Sequence, residues 1–395
     1  MDATTVPLIS VNAVQALGLS CLGLALGTWI VRRVAIVDRL NIPAPIVGGL
    51  LFALLGLALR GRWLDIEYEL SLQPVLMLAF FTTIGLSASL RLIRVGGRLV
   101  VWFLGLAVIG AMAQNGVGIA IASAFGLDPL YGIIAGSIAL TGGPGTAAAF
   151  GDTFETTHGV EGAKTVGIAC AMFGIAAGGL LGGQIGGTLV RRHGLRGAAA
   201  PVAVADAPVE PESSLTANVV VIGVAMGLGT LIGMGFQRAG INLPGYIGAM
   251  IAAAVLRNVD DATGWFRISP RRVDELGDAA LSVFIVMAML GLQLWKLAHI
   301  AAPIVVILVA QVLLVWAMCR LVFRVMGRDY EAAVMSGGFC GFMLGTAANA
   351  MACMTVLRDK YGAAPRAFIV VPLVGVSLID FFNALMITHL AHWFR

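Results

Sequence analysis

The chain has 395 residues, of which 59% are apolar and only 12% are charged, and its mean hydropathy is +0.94. A soluble protein carries about twice that charged fraction, so the composition excludes a soluble globular enzyme and predicts a helical protein that crosses a membrane many times. The net charge of +4 is spread over many short loops, which indicates membrane topology rather than a nucleic-acid partner.

Apolar runs recur from end to end, and most approach the roughly 20 residues that cross a ~30 Å hydrocarbon core. They predict ten spans, at 8–31, 43–60, 72–90, 99–126, 165–190, 216–238, 243–258, 277–296, 302–326 and 367–392. The stretch 196–214 is rich in Ala, Pro and acidic residues and is predicted to be a polar linker. It divides the chain into an N-terminal unit, 1–195, and a C-terminal unit, 215–395.

The two units share motifs at a constant spacing. NIPAPIVGG from Asn41 recurs as NLPGYIGAM from Asn242, and GLDP from Gly126 recurs as GRDY from Gly327, each 201 residues later. Any one match is weak in a chain so rich in Gly and Ala. The shared offset predicts an internal repeat.

Each unit also has a glycine-rich segment before its last span, at 128–162 and at 329–365. If both segments enter and leave the membrane on one side, and the N-terminus is outside, 19 of the 25 Lys and Arg lie inside; if both cross, only 12 do. The first arrangement obeys the positive-inside rule. Five spans per unit then make the second unit an inverted-topology repeat, as in secondary transporters, with the linker in the cytoplasm and both termini outside.

The sequence TGGPGTAAAF, 141–150, breaks the first re-entrant segment near the membrane midplane, because the preceding helix 129–140 covers only ~18 Å. Its counterpart is GGFCGFMLGTAANAM, 337–351. Broken backbone at this depth is tolerated where it lines a polar cavity, and the N-termini of the returning helices suit a carboxylate. The predicted substrate-binding residues are Thr141, Gly142, Gly143, Gly145, Thr146, Gly345, Thr346 and Asn349.

A purely structural alternative is that these glycines only permit close helix packing. Because both units break at corresponding places, a binding site is the better interpretation. Asp128 and Asp329 are predicted to cap the helices that begin each segment.

Few other polar residues lie at membrane depth. Asp380 is on the last span, with Ser377 and Asn383 three residues to either side. An acid at that depth could coordinate a cation, carry a proton, or make a structural hydrogen bond. Asn115 and its neighbour Gln114 lie in the middle of the fourth span, where ligand contact and an interhelical bond are equally good interpretations. The predicted ion-binding residues are Asp380, Asn383, Ser377 and Asn115.

Hydroxyl groups at Thr82, Thr83 and Ser87 are weaker candidates, since small hydroxyls often bond to a carbonyl of their own helix. The sequence has no nucleophile–base pair, phosphate-binding loop or metal-ligand spacing, and an intramembrane hydrolase would need a partner for Asp380. We therefore predict a transporter that is not an enzyme, with no cofactor and no metal beyond the transported ion. A channel or receptor is less well matched, because paired breaks from opposite sides suit alternating access.

Motifs along nearly the whole chain resemble those of one family. They are PAPIVGGLL (43–51), PVLMLAFFTTIGL (74–86), GLDPLYGIIAGSIALTGGPGT (126–146), MLGLQLW (289–295), CGFMLGT (340–346) and FIVVPLVGVSLIDFFNAL (368–385). In these motifs the chain resembles the sodium/glutamate symporter family of bacterial inner membranes. The resemblance implies Na⁺-coupled uptake of glutamate, a homodimer, and an elevator movement of a hairpin-bearing domain against a scaffold.

The chain departs from the family pattern at the two tips. Pro144 stands where the family usually has a histidine, and 346–350 also differs. An alternative function is therefore the transport of another small carboxylate or amino acid, coupled either to Na⁺ or to H⁺ through Asp380.

Overall fold

The computed structural model describes residues 7–39, 42–61, 63–197, 214–238, 245–292 and 300–394, without the side chains of 38–39, 92–96 and 376–377. Most of the predicted linker, 198–213, lies outside the described residues, as does the end of the eighth predicted span, 293–296.

Helices make up most of the described chain. In the N-terminal unit they are α1 (Ala13–Arg33), α2 (Ala35–Arg39), α3 (Ala44–Leu59), α4 (Gln73–Ser87), α5 (Leu90–Ala124), α6 (Pro129–Ile133), α7 (Gly143–His158) and α8 (Ala163–Arg192). In the C-terminal unit they are α9 (Leu215–Arg238), α10 (Gly245–Thr263), α11 (Pro270–Leu290), α12 (Ala301–Val325), α13 (Tyr330–Met343), α14 (Ala347–Tyr361), α15 (Pro365–Pro372) and α16 (Ile379–Trp393). A π-helical segment, Ile134–Ile138, follows α6, and another, Leu373–Leu378, joins α15 to α16.

Six of the described helical stretches are long and apolar enough to cross a membrane. They are Ala13–Arg33, Gly97–Ala124, Ala163–Arg192, Leu215–Arg238, Ala301–Val325 and Pro365–Trp393. They support the prediction of a multi-pass membrane protein. Helices α3 and α4 have only 16 and 15 residues, or roughly 24 Å and 22 Å of rise.

The start of the first predicted span, 8–31, is wrong, and so is the expectation of helices alone. Strand β1 (Leu8–Val11) pairs in parallel with β2 (Asp65–Tyr68). Asn12 explains why the helix starts late: its Oδ1 accepts from Gln15 N at 2.9 Å, and Gln15 Oε1 accepts from Asn12 N at 3.0 Å. This capping box begins α1 at the next residue and leaves the preceding segment to form the strand.

The helices pack into two bundles, and each bundle takes helices from both units. The first bundle contains α1, α3, α4, α9, α10 and α11, and the second contains α5 to α8 and α12 to α16. Fewer contacts join the bundles, mainly from α4, α10 and α11 to α7, α16 and the segment before α16. Corresponding helices of the two units therefore lie in the same bundle.

Glycines let matching helix pairs in the first bundle approach closely. A Cβ built on Gly48 of α3 would lie 1.8 Å from the carbonyl oxygen of Gly23 on α1. A Cβ on Gly248 of α10 would lie 2.3 Å from the carbonyl oxygen of Gly229 on α9. No side chain fits either crossing, so both pairs require glycine there.

The two helix pairs α6–α7 and α13–α14 begin with the predicted caps. Asp128 Oδ1 accepts from Leu130 N at 2.8 Å, and Asp329 Oδ1 accepts from Ala332 N at 2.8 Å. Both N-cap predictions are confirmed, and each carboxylate satisfies an amide that the helix leaves without a partner.

A tyrosine closes the base of each helix pair in the same way. Tyr131 Oη donates to the carbonyl of Glu161 at 2.5 Å, and Tyr330 Oη lies 2.6 Å from the carbonyl of Gly362. The two acceptors are 201 residues apart, which is the offset of the repeated motifs. The two tyrosines themselves are 199 residues apart. Each bond ties the first helix of a pair to the segment that follows the second helix, and the chain break lies at the other end of the pair.

We expect Gly48→Ala to destabilise the protein by about 1–3 kcal/mol, because the new methyl group would overlap the backbone of α1. Thermal unfolding of the detergent-purified protein would show a lower Tm. Gly56→Ala is the matched control on the same helix, since nothing lies within 4 Å of a Cβ there. Equal Tm values for the two variants would contradict the close crossing.

Candidate substrate and ion site

A cavity of about 580 Å³ lies between the two bundles, a size typical of small-molecule sites. Helices α4 and α11 line it from the first bundle, and both chain breaks line it from the second. We call the breaks the first tip, residues 141–142, and the second tip, residues 344–346. The cavity therefore lies where the sequence predicts substrate to bind.

Most of the predicted substrate-binding residues line this cavity. They are Thr141, Gly142, Gly143, Gly145, Gly345 and Thr346. The two tips also touch, since a Cβ on Gly143 would lie 3.5 Å from the carbonyl oxygen of Gly345. The structure thus brings together two segments about 200 residues apart in the chain.

The first break is shorter than the sequence suggests. Helix α7 begins at Gly143, so 143–146 is its first turn and not part of an irregular loop. Gly143 has φ of +69°, a left-handed conformation that strongly favours glycine. Pro144 follows in the first turn, where its missing amide removes no helical hydrogen bond.

The N-termini of two helices open into the cavity. Pro144 and Gly145 of α7 line it, and so do Ala347 and Ala348 of α14. The first amides of a helix lack intrahelical partners and carry the positive end of the helix dipole. Two such ends in one cavity suit a ligand with two negatively charged groups.

The predicted residues Thr146 and Asn349 are buried beside the tips and do not line the cavity. Thr146 packs over Gly142, where a Cβ would lie 2.6 Å from its side chain. Asn349 Nδ2 donates to the carbonyl of Ile175 on α8 at 2.7 Å. Both side chains therefore pack behind the tips, and their contact with substrate stays a prediction.

Gln114 joins the two tips. Its Oε1 accepts from Thr141 Oγ1 at 2.6 Å, and its Nε2 donates to the carbonyl of Met343 at 2.8 Å. Gln311 of α12 donates to the carbonyl of Gln114 at 2.7 Å. Of the two interpretations of Gln114, the structure shows the interhelical one.

Asn115 and Asn383 meet at Ser137, in the π-helical segment before the first tip. Asn115 Oδ1 accepts from Ser137 N at 3.0 Å, and Asn383 Nδ2 donates to the carbonyl of Ser137 at 3.0 Å. Three buried atoms here have no hydrogen-bond partner among the described residues: Asn115 Nδ2, Asn383 Oδ1 and Ser137 Oγ. Unpaired oxygens at this depth are costly unless something binds them.

Asp380 lines the cavity near Gly375 and is partly buried. The structure places it one turn of α16 before Asn383, so the predicted ion-binding residues divide between the cavity and the buried cluster at Ser137. The side chain of Ser377, the remaining predicted ion ligand, lies outside the described residues.

Sequence reasoning missed the face of α11 that closes the cavity. Asp274, Asp278 and Ser282 line it there. They recur every four residues and so share one helix face, a signal available in the sequence. The sequence does not indicate that this face lies opposite the tips.

The predicted hydrogen bonds of the α4 hydroxyls are confirmed. Thr82 donates to the carbonyl of Leu78 at 2.7 Å, Thr83 to that of Phe80 at 2.7 Å, and Ser87 to that of Thr83 at 3.1 Å. Thr83 and Ser87 nevertheless line the cavity.

We expect Gln114→Leu to destabilise the protein by roughly 1–2 kcal/mol, since it leaves Thr141 and the carbonyl of Met343 without their buried partner. The measurement is Tm in detergent. Gln184→Leu is the control, because Gln184 is an exposed glutamine on α8. If both variants unfold at the same temperature, Gln114 does not hold the tips together.

Comparisons with known proteins agree on one family. The family model described as sodium/glutamate symporter matches residues 9–363. The sodium/glutamate symporter of Escherichia coli is 38% identical over 93% of this chain and 94% of its own length, and that of Haemophilus influenzae is 34% identical over 94% and 95%.

A solved sodium proton antiporter from Methanocaldococcus jannaschii aligns over 96% of this chain and 98% of its own, with 14% identity and a TM-score of 0.43, a likeness too low to carry an argument. The family model and the relatives are decisive because they extend over almost the whole sequence. The resemblance seen in the motifs is confirmed: this chain belongs to the sodium/glutamate symporter family, a family of transporters and not of enzymes.

Proposed function

We propose that this chain carries glutamate across the membrane together with Na⁺, binding the substrate in the cavity between the two tips. The single observation that carries the proposal is that α7 and α14 both begin at this cavity. Family membership selects glutamate and Na⁺ over the alternatives that the altered tips left open.

Glutamate has two carboxylates, and the cavity offers two helix N-termini. In the proposed complex the amides after Gly142 and after Thr346 each receive one carboxylate. The Thr346 hydroxyl oxygen already accepts from Asn349 N at 3.4 Å, which leaves its proton available to the ligand. Thr146 and Asn349 contribute by fixing the tips.

The coupling ion would use oxygen ligands near the first tip. Na⁺ is a hard cation that suits carboxylate, amide and hydroxyl oxygens, and carbonyls freed at broken helices serve this purpose in other transporters. Asn383 Oδ1 and Ser137 Oγ are buried without partners, and Asp380 lies one turn from Asn383. Asn115 would orient Ser137, and Ser377 remains a predicted ligand from the sequence.

We also propose that the units 1–195 and 215–395 are inverted-topology repeats separated by the cytoplasmic linker 196–214, with re-entrant hairpins at 128–162 and 329–365. The matching tyrosine contacts and the sharing of each bundle by both units support this arrangement. Both termini would then face the periplasm of a bacterial inner membrane.

Transport would follow from movement of the second bundle, which holds both tips, against the first. The few contacts between the bundles support such an elevator movement. The homodimer rests on the family resemblance, and light scattering of the purified protein would test it.

We expect proteoliposomes containing this protein to accumulate labelled L-glutamate under an inward Na⁺ gradient and not when K⁺ replaces Na⁺. Uptake would depend on Na⁺ because the ion site must be occupied by Na⁺ before the second bundle moves. Folded protein that takes up no glutamate in either salt would contradict the substrate assignment. A screen of other small carboxylates would then identify the ligand.

We expect Asp380→Asn to lower Na⁺-driven uptake at least tenfold, because the neutral amide binds a cation far more weakly than the carboxylate. The measurement is uptake against Na⁺ concentration. Asp359→Asn, at an exposed acid on α14, should match the wild type. An unchanged Na⁺ dependence in the Asp380 variant would remove this residue from the ion site.

A further inference from the structure

A buried lysine joins the two bundles outside the cavity. Lys164 begins the first turn of α8 and is only 6% exposed. Its Nζ lies 3.5 Å from Asp152 Oδ1 on α7, within the same bundle. It also donates at 3.2 Å to Oε1 of Gln73, the first residue of α4 in the other bundle, which is 5% exposed.

The two contacts differ in what they hold together. A buried ammonium group is costly unless its hydrogen bonds are satisfied. Asp152 supplies the opposite charge and stays with Lys164 wherever the second bundle goes. Gln73 supplies an acceptor only while the two bundles are in their present positions.

Aromatic packing accompanies the lysine contact. The rings of Tyr246 on α10 and Phe81 on α4 stack with centroids 4.4 Å apart. Phe150 on α7 meets Tyr246 edge-on at 5.3 Å and Phe81 at 6.5 Å. Side chains of the two bundles thus form a buried aromatic contact roughly 12 Å along α4 from Gln73, next to Phe80, which lines the cavity.

The cavity lies toward the other end of α4. On α4 it is lined by Phe80, Thr83, Ile84 and Ser87, which are 7 to 14 residues after Gln73, or roughly 10–21 Å along the helix. The interface is therefore closed at the Gln73 end and open at the Ser87 end.

The offset of 201 residues between the two units pairs residues of this contact with residues that line the cavity. Residues 201 positions from Gln73, Phe81 and Tyr246 are Asp274, Ser282 and Pro45. All three of these counterparts line the cavity. At these three positions, one residue of each equivalent pair packs between the bundles and the other lines the cavity.

We propose that Lys164 is a positioning residue for transport, whose bond to Gln73 latches the second bundle to the first and keeps the cavity closed on that side. This inference rests on the bundle movement in the proposed function. Opening the closed side breaks the Lys164–Gln73 bond and keeps the Lys164–Asp152 pair.

Hydrogen exchange of the full-length protein in nanodiscs tests the latch. We expect Gln73→Met and Lys164→Met each to accelerate exchange about tenfold in the first two turns of α4 and α8, the factor typical of losing a hydrogen bond to a charged group. The double variant should exchange no faster than Lys164→Met alone, because Lys164→Met already removes the contact with Gln73 together with the Asp152 pair. Lys360→Met, at an exposed lysine on α14, should leave these segments unchanged.

Two further variants separate a latch from a merely structural lysine. Lys164→Arg keeps the charge and should restore exchange to within about twofold of the wild type. Gln73→Glu adds a charge opposite Lys164 and should slow exchange; it also decides the question if Lys164→Met does not fold. Unchanged exchange in the Gln73→Met and Gln73→Glu proteins would overturn the proposal, and so would additive effects in the double variant.

The exchange readout needs neither Na⁺ nor glutamate, so the two proposals fail separately. If the variants exchange faster but the wild type takes up no glutamate, only the proposed substrate is contradicted. If the wild type takes up glutamate with Na⁺ but hydrogen exchange in the Gln73 and Lys164 variants is unchanged, only the latch is contradicted.

Discussion

The structure depends on satisfying backbone groups at and beside the two chain breaks, which are largely buried in the protein. Backbone groups buried away from water need partners that the protein itself supplies. Three side-chain amides do so, those of Gln114, Asn115 and Asn383, while a fourth, that of Asn349, bonds to a carbonyl of α8. A neutral amide offers both a donor and an acceptor without the cost of a buried charge, which explains why amides surround the breaks whereas Asp274, Asp278 and Asp380 line the cavity.

These bonds also decide which parts of the molecule belong together. Gln114 holds a residue of the first tip and a carbonyl just before the second, and Asn349 ties the second tip to α8. Moving either tip alone would break a buried bond. The tips and the helices that carry these amides therefore behave as one body, and the bond of Lys164 to Gln73 is among the polar links that leave this body.

Patterns among neighbouring residues predict most of the helices, whereas contacts between residues far apart in the chain leave no such pattern in the sequence. The caps at Asp128 and Asp329 follow from neighbouring residues, as do the apolar spans. The start of α1 was misplaced because hydropathy does not register a capping box at Asn12. Ser137 was overlooked, since its importance comes from Asn115 and Asn383, which are 22 and 246 residues away. Asp274 was missed for the same reason, because its helix must first be packed against α4.

The two ends of the interface are equivalent in position but not in chemistry. Gln73, Phe81 and Tyr246 pack between the bundles, and Asp274, Ser282 and Pro45 at the matching positions line the cavity. Aromatic pairs contribute about 0.5–1.5 kcal/mol beyond their buried area, and an acid and a serine cannot replace them. An interface that exchanged its ends would therefore lose the aromatic contact and would have to bury Asp274. In the present structure Asp274 and Asp278 are instead exposed and line the cavity, where two carboxylates attract cations.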